Sequence, residues 1–184
     1  MPSAPDTPPA PERFPARYSI RVPNEMALAA VAARLAANLP DGAFVALEGD
    51  LGAGKTTFVK LVAAAAGIDP AEVVSPTFGL IHVHEGPRCR LVHADMYRLP
   101  DQEELRETGW EDAIAARTGT STWVFVEWPV RIGSFLPADR LDVAIGIDSE
   151  TARTLTFAAG GPLHAPVIAA LTVPATATPL QSPP

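Results

Sequence analysis

Residues Gly49-Asp50-Leu51-Gly52-Ala53-Gly54-Lys55-Thr56 fit the pattern G-x-x-x-x-G-K-[ST]. The apolar run Ala43-Phe44-Val45-Ala46-Leu47 precedes them, and a helix-like run from Thr57 to Ala66 follows. Strand, glycine loop and helix in that order make a phosphate-binding loop. Glycine lets the backbone curl so that successive N–H groups point inward at phosphate oxygens. The following helix adds the positive end of its dipole. Lys55 would reach the β- and γ-phosphates, and the Thr56 hydroxyl would ligate Mg²⁺.

Outward from the loop, strands and helices alternate. Arg17–Val22 reads as a short strand. Asn24 caps a helix running to about Leu39, with apolar Leu28, Val31, Leu35 and Leu39 on one face. Pro40-Asp41-Gly42 is a turn, and Gly67 closes the helix after the loop. Residues 69–76 form a loop. Phe78–His84 and Cys89–Ala94 would pair as a hairpin about Glu85-Gly86-Pro87. Asp101–Thr108 and Trp110–Arg117 are short helical stretches. Trp123–Val126 is a buried strand, and Leu141–Ile147 with Thr154–Phe157 completes the sheet. This order predicts an α/β fold, a three-layer sheet of the P-loop NTPase type, mixed because of the hairpin.

The chain has 184 residues, enough for one domain with a sizeable core. Its twenty prolines cluster at the ends. Residues 1–16 and 159–184 therefore read as flexible Pro-rich tails around a domain at 17–158, with a short helix near Ala165–Leu171. Net charge is −7 and the pI is near 5.0. Such a surface does not grip DNA or RNA broadly, because phosphate contacts need clustered Lys and Arg. The single cysteine, Cys89, cannot form an internal disulfide and suits a reducing compartment. The N-terminus lacks the apolar core of a signal peptide, and no apolar run is long enough to span a bilayer. The cytoplasm is the expected location, without a membrane partner.

Two strand ends carry further acids. Glu127 ends the apolar strand 123–126; such an acid either holds Mg²⁺ or simply meets solvent, and the phosphate loop favours the metal. Trp128 is then a capping hydrophobe or a sensor of nucleotide state. Asp95, in His93-Ala94-Asp95-Met96-Tyr97-Arg98, falls on the same rim, since ligands in such sheets bind beyond the carboxyl ends of the strands. It can orient or deprotonate water, or it can pair structurally with Arg98. His93 reads as a strand residue. His82, His84 and His93 lie on neighbouring strands, but no cysteine supports a zinc site. Ser75-Pro76-Thr77-Phe78 suits a switch that meets the γ-phosphate and Mg²⁺, or an ordinary proline turn.

Together, Gly49–Thr57, Ser75–Phe78, His93-x-Asp95-x-Tyr97-Arg98, Glu103-Glu104-Leu105 with Gly109, and Glu127-Trp128-Pro129 resemble the TsaE family in order and spacing. The resemblance covers about Arg17 to Phe157. It implies an ATPase of the bacterial machinery that makes threonylcarbamoyladenosine in tRNA, docked on the partners TsaB and TsaD. TsaD would transfer the threonylcarbamoyl group, and tRNA would be met only indirectly. The implied cofactors are ATP and Mg²⁺. Asp50, Leu51, Gly52, Ala53, Gly54, Lys55, Thr56 and Thr57 would bind ATP; Thr56 and Glu127 would hold the metal. Asp95, Lys55 and Glu127 would form the catalytic set, with Ser75, Thr77 and Trp128 as the switch. The segment Asn24–Met26 would lie near the adenine, and Arg153 would approach the nucleotide. The same loop also serves small-molecule kinases, with Arg106 or Arg117 as a lid, and nucleotide-gated binding modules with negligible hydrolysis. No arginine finger is evident, so basal turnover should be slow.

Overall fold

The computed structural model describes residues 16–76 and 80–173. Thr77 and Phe78, from the expected switch and hairpin, lie outside the described residues, as do residues 1–15 and 174–184. Seven strands form one mixed sheet: β1 (Arg17–Val22), β2 (Phe44–Glu48), β3 (Ile81–Glu85), β4 (Arg90–Asp95), β5 (Thr122–Glu127), β6 (Leu141–Ile147) and β7 (Arg153–Ala159). Their spatial order is β1-β7-β6-β2-β5-β4-β3. The central strands β4, β5, β2 and β6 run parallel, while β1, β7 and β3 are antiparallel to their neighbours.

Burial follows from that order. Central β5 is buried at every position and β4 nearly so, which matches their continuous apolar runs. Peripheral β7 alternates, with Leu155, Phe157 and Ala159 turned to the core. Three helices cover one face: α1 (Glu25–Asn38), α2 (Lys55–Ala65) and α4 (Ala165–Thr172). The other face is covered by a 3-10 helix at Gln102–Thr108, by α3 (Trp110–Ile114) and by Ile132, around Trp110 and Met96. The three layers expected from the alternation are therefore present.

Local chemistry sets the boundaries. Asn24 caps α1, its side chain accepting from the Ala27 N–H at 3.0 Å. Gly67, at φ +89°, takes the left-handed turn that ends the α2 segment. The first strand of the hairpin begins at Ile81, later than expected from the sequence. The second helical stretch stops at Ile114 rather than Arg117: the chain leaves the helix at Ala115, ψ 130°, and the Arg90 guanidinium takes the Ala113 carbonyl at 2.6 Å. Cys89 lies buried just before β4, and burial pushes its thiol up to about 11.

The largest departure is at the C-terminal end. Residues 159–173, read as the start of a tail, are packed into the domain. Val167, Ile168 and Leu171 of α4 join the core beneath α1. Arg34 of α1 donates to the carbonyls of Ala170 and Leu171 at 2.9 Å. His164, fully buried, accepts from the Phe44 N–H at 3.2 Å and bonds Asp139 at 2.7 Å through Nδ1. Nε2 is an acceptor there, so the proton sits on Nδ1. Desolvation works against the Asp139 carboxylate, but hydrogen bonds from His164 and Leu163 outweigh it and hold its pKa low.

Candidate functional site

The phosphate loop leaves β2 at its carboxyl end and enters α2. Two glycine positions fix its path. Gly49 has φ +148°, and a Cβ there would sit 2.6 Å from the Ile145 carbonyl oxygen. Gly54, at φ +101°, is the left-handed residue from which α2 starts. The Lys55 ammonium folds back on the loop, donating to the carbonyls of Gly49 at 2.8 Å and Asp50 at 3.0 Å. It also lies 4.1 Å from the centre of a Trp128 ring, a cation–π distance. Burial lowers the Lys55 pKa, and the negative charges of Glu127, Asp95 and Asp50 oppose that shift.

The sheet register brings the two acids together. Asp95 ends β4 and Glu127 ends β5, and the two residues are directly paired. Glu127 is almost fully buried, at 3 % exposure. A buried carboxylate must be hydrogen-bonded to be tolerated. Its Oε1 accepts from the Thr56 hydroxyl at 2.7 Å and bonds His93 Nε2 at 2.9 Å. Asp95 accepts from the Ser75 hydroxyl at 2.8 Å and from the Tyr97 N–H at 3.1 Å. Ser75 is thus tied to Asp95, and Arg98 lines the same cleft.

Trp128 follows Glu127 in the left-handed region, at φ 60°, which is unusual for a bulky residue and marks a site the surroundings hold in place. Its backbone N–H donates to Leu47 at 3.3 Å, and its ring meets Tyr97 at 5.0 Å between centroids. Lys55, Thr56, Ser75, Asp95, Glu127 and Trp128 therefore line one cleft of about 530 Å³. A second cavity of about 300 Å³ adjoins it across Gly52, Gly54 and Thr57. Asn24, Glu25 and Arg153 line that cavity, while Met26 is 79 % exposed and does not. Two cavities of this kind, joined over a phosphate loop, can take the base and the phosphates of one nucleotide. Thr56 and Glu127 offer hard oxygen donors on the phosphate side, of the kind Mg²⁺ takes.

Arg153 lines the second cavity, near the nucleotide position that the resemblance implied, but its contacts with the loop and that of His93 with Glu127 were not anticipated from the sequence. Arg153 braces the loop from β7: Nε donates to the Ala53 carbonyl at 2.9 Å and Nη2 to Gly52 at 3.4 Å. His93 bonds Glu127 rather than standing as a plain strand residue. Period-two alternation puts 93 with 95 and 125 with 127 on one face of each strand, and the register of the pair then brings the two sets together. The two arginines considered for a kinase lid lie elsewhere: Arg106 sits over Phe135 at 5.6 Å, and Arg117 pairs with Glu85 at 3.2 Å. Among the described residues no helix is long and apolar enough to cross a membrane.

The family model for threonylcarbamoyl adenosine biosynthesis protein TsaE matches residues 22–155. The chain is similar to the tRNA threonylcarbamoyladenosine biosynthesis protein TsaE of Treponema pallidum, 38% identical over 120 residues, 65% of this chain and 84% of the relative. The Bacillus subtilis protein of the same description is 38% identical over 132 residues, 72% of this chain and 79% of the relative. Among solved structures, the crystal structure of Bacillus subtilis YdiB aligns with a TM-score of 0.65 at 29% identity, over 87% of this chain and 97% of that one. The matched span holds the phosphate loop, Asp95 and Glu127, and by sequence, fold and site together the chain belongs to the TsaE family.

Proposed function

We propose that this protein binds ATP with Mg²⁺ and hydrolyses it slowly, and that this cycle resets a TsaB–TsaD complex during threonylcarbamoyladenosine modification of tRNA. The observation that carries the reading is the convergence of Thr56 and Glu127, 2.7 Å apart, beside the phosphate-loop lysine and Asp95. In this reading Thr56 and Glu127 hold Mg²⁺, which neutralises phosphate charge when bound. Residues Asp50 to Thr57 cradle the phosphates with backbone N–H groups. Lys55 exchanges its two loop carbonyls for phosphate oxygens. Asp95 orients a water for attack and accepts its proton. Ser75 and Thr77 form the switch, with Trp128 against Lys55. The base lies in the cavity lined by Asn24, Glu25 and Arg153. The transferase chemistry belongs to the partner, and the acidic chain meets tRNA only through the assembly. The cytoplasm is the compartment this work requires.

Catalysis of phosphoryl transfer to water is mostly positioning and charge stabilisation. Arg153, beside the cleft, is committed to loop carbonyls, so a partner that orders the switch should accelerate turnover. The test is ATP hydrolysis with Mg²⁺, alone and with purified TsaB and TsaD, with Lys55→Ala as the blank. Turnover that is slow alone and rises with the pair supports the proposal. Turnover indifferent to the pair, or phosphate passed to a metabolite instead of released, sinks it.

A further inference from the structure

We infer that His93 is a positioning residue for Glu127, fixing the carboxylate so that it and Thr56 meet Mg²⁺ as a preset pair. The inference rests on the nucleotide-binding reading above. It comes from three observations. His93 is completely buried, and its Nε2 lies 2.9 Å from Glu127 Oε1. The same oxygen takes the Thr56 hydroxyl at 2.7 Å. The other ring nitrogen, Nδ1, is buried with no hydrogen-bond partner among the described residues.

A carboxylate accepts, so the proton of the His93 ring sits on Nε2. Two donors, one on β4 and one on α2, then converge on one carboxylate oxygen and set its rotation. With only one of them, the side chain could turn about its last bond. The orphaned Nδ1 sharpens the point. A buried polar atom without a partner is a cost, and an aliphatic residue would fill this core position without it. An imidazole retained there has to be explained by its other nitrogen, which serves Glu127 alone. Sheet register makes the contact possible. His93 pairs with Phe125, two residues before Glu127, so the two side chains are diagonal neighbours on one face. Partners that orient a metal-binding carboxylate typically change metal affinity by about 10–100-fold when removed.

The experiment uses the full chain and calorimetric binding of β,γ-methylene-ATP at one fixed pH, first in EDTA and then across a Mg²⁺ titration. Wild type, Glu127→Gln, His93→Leu, His93→Asn and His93→Gln are compared, each checked by its thermal melt. Gln can place an amide nitrogen where Nε2 stands; Asn is too short. In EDTA all His93 variants should bind like wild type. The Mg²⁺ concentration for half-maximal tightening should rise about 10–100-fold in His93→Leu and His93→Asn and return to near wild type in His93→Gln. Equal Mg²⁺ dependence in wild type and His93→Asn, or a His93→Gln protein no better than Asn, overturns the positioning role. If Glu127→Gln also matches wild type, the metal reading itself fails, which separates the two errors. The Asn–Gln pair keeps the test decisive if the Leu variant does not fold.

Discussion

Replacing Leu171 with Ala tests the packing of α4, a helix expected near Ala165–Leu171 but read as part of a flexible tail. Leu171 is 1 % exposed and sits in the same core as Val167 and Ile168, each nearly as buried. Full burial of one such side chain is worth roughly 1.5–3 kcal/mol. Truncation adds a cavity term, and buried Leu→Ala changes cost about 2–5 kcal/mol. The helix has only eight residues, so its surroundings can partly collapse, and the lower part of that range, about 2–3 kcal/mol, is expected. For a domain of this size that corresponds to a fall in Tm of roughly 4–12 °C. Urea unfolding followed by far-ultraviolet dichroism gives the difference directly. Val173→Ala, at a position 59 % exposed, is the control and should lie within about 0.5 kcal/mol of wild type. No α4 residue lines either cavity, so the folded Leu171→Ala protein should bind nucleotide normally. A Leu171→Ala protein as stable as the Val173 control would show that α4 is not part of the folded unit.

Three further outcomes follow from the structure. Asp95→Asn should lower ATP turnover by about 10²–10⁴-fold, the usual reach of general acid–base catalysis, while calorimetric nucleotide affinity stays within a few-fold; turnover near wild type would remove Asp95 from the chemistry. His84 is held below its ordinary pKa of 6.5 by burial and by the neighbouring His93 and His82, so the unfolded chain binds the proton more readily. Its contribution to stability is therefore complete above pH 6.5 and is lost as the pH falls below it; melting curves from pH 7 to 5 should be flatter for His84→Leu than for wild type, and an unchanged slope would contradict this. Cys89, fully buried with its thiol pushed up to about 11, should resist a thiol reagent at pH 8 until denaturant is added, and rapid native labelling would refute that burial.

How far the sequence carried the structure is a matter of range. Gly49 to Thr56 declares its loop because the pattern is local: the glycines, the lysine and the flanking strand and helix are contiguous. The apolar runs at 44–47 and 123–126 are readable because strands buried on both faces must be continuously apolar. Asp95 and Glu127 were legible as strand-end acids, and the register that sets them side by side confirms they share one rim. Three things were not legible. His93 bonds a residue 34 positions away, and only paired strands of known register reveal it. The resemblance alone places Arg153 near the nucleotide, and its bond to Ala53, 100 residues earlier, shows only once β7 stands one strand away from β2. The short helix near Ala165–Leu171 was expected, but in a stretch whose prolines and alanines look tail-like nothing local reports that it joins the core, or that Phe44, 120 residues earlier, donates its N–H to His164. Composition describes the unfolded chain; what holds α4 is a core assembled from distant segments.

The claim that nucleotide turnover cycles the modifying complex is tested most directly by counting modified tRNA per complex. TsaB, TsaD, a threonylcarbamoyl donor, tRNA and ATP would be combined with wild type or Lys55→Ala, and threonylcarbamoyladenosine measured over time. The wild-type protein is predicted to sustain many rounds, and Lys55→Ala to stop after about one per complex. Equal multiple-turnover progress with the two proteins would contradict the account.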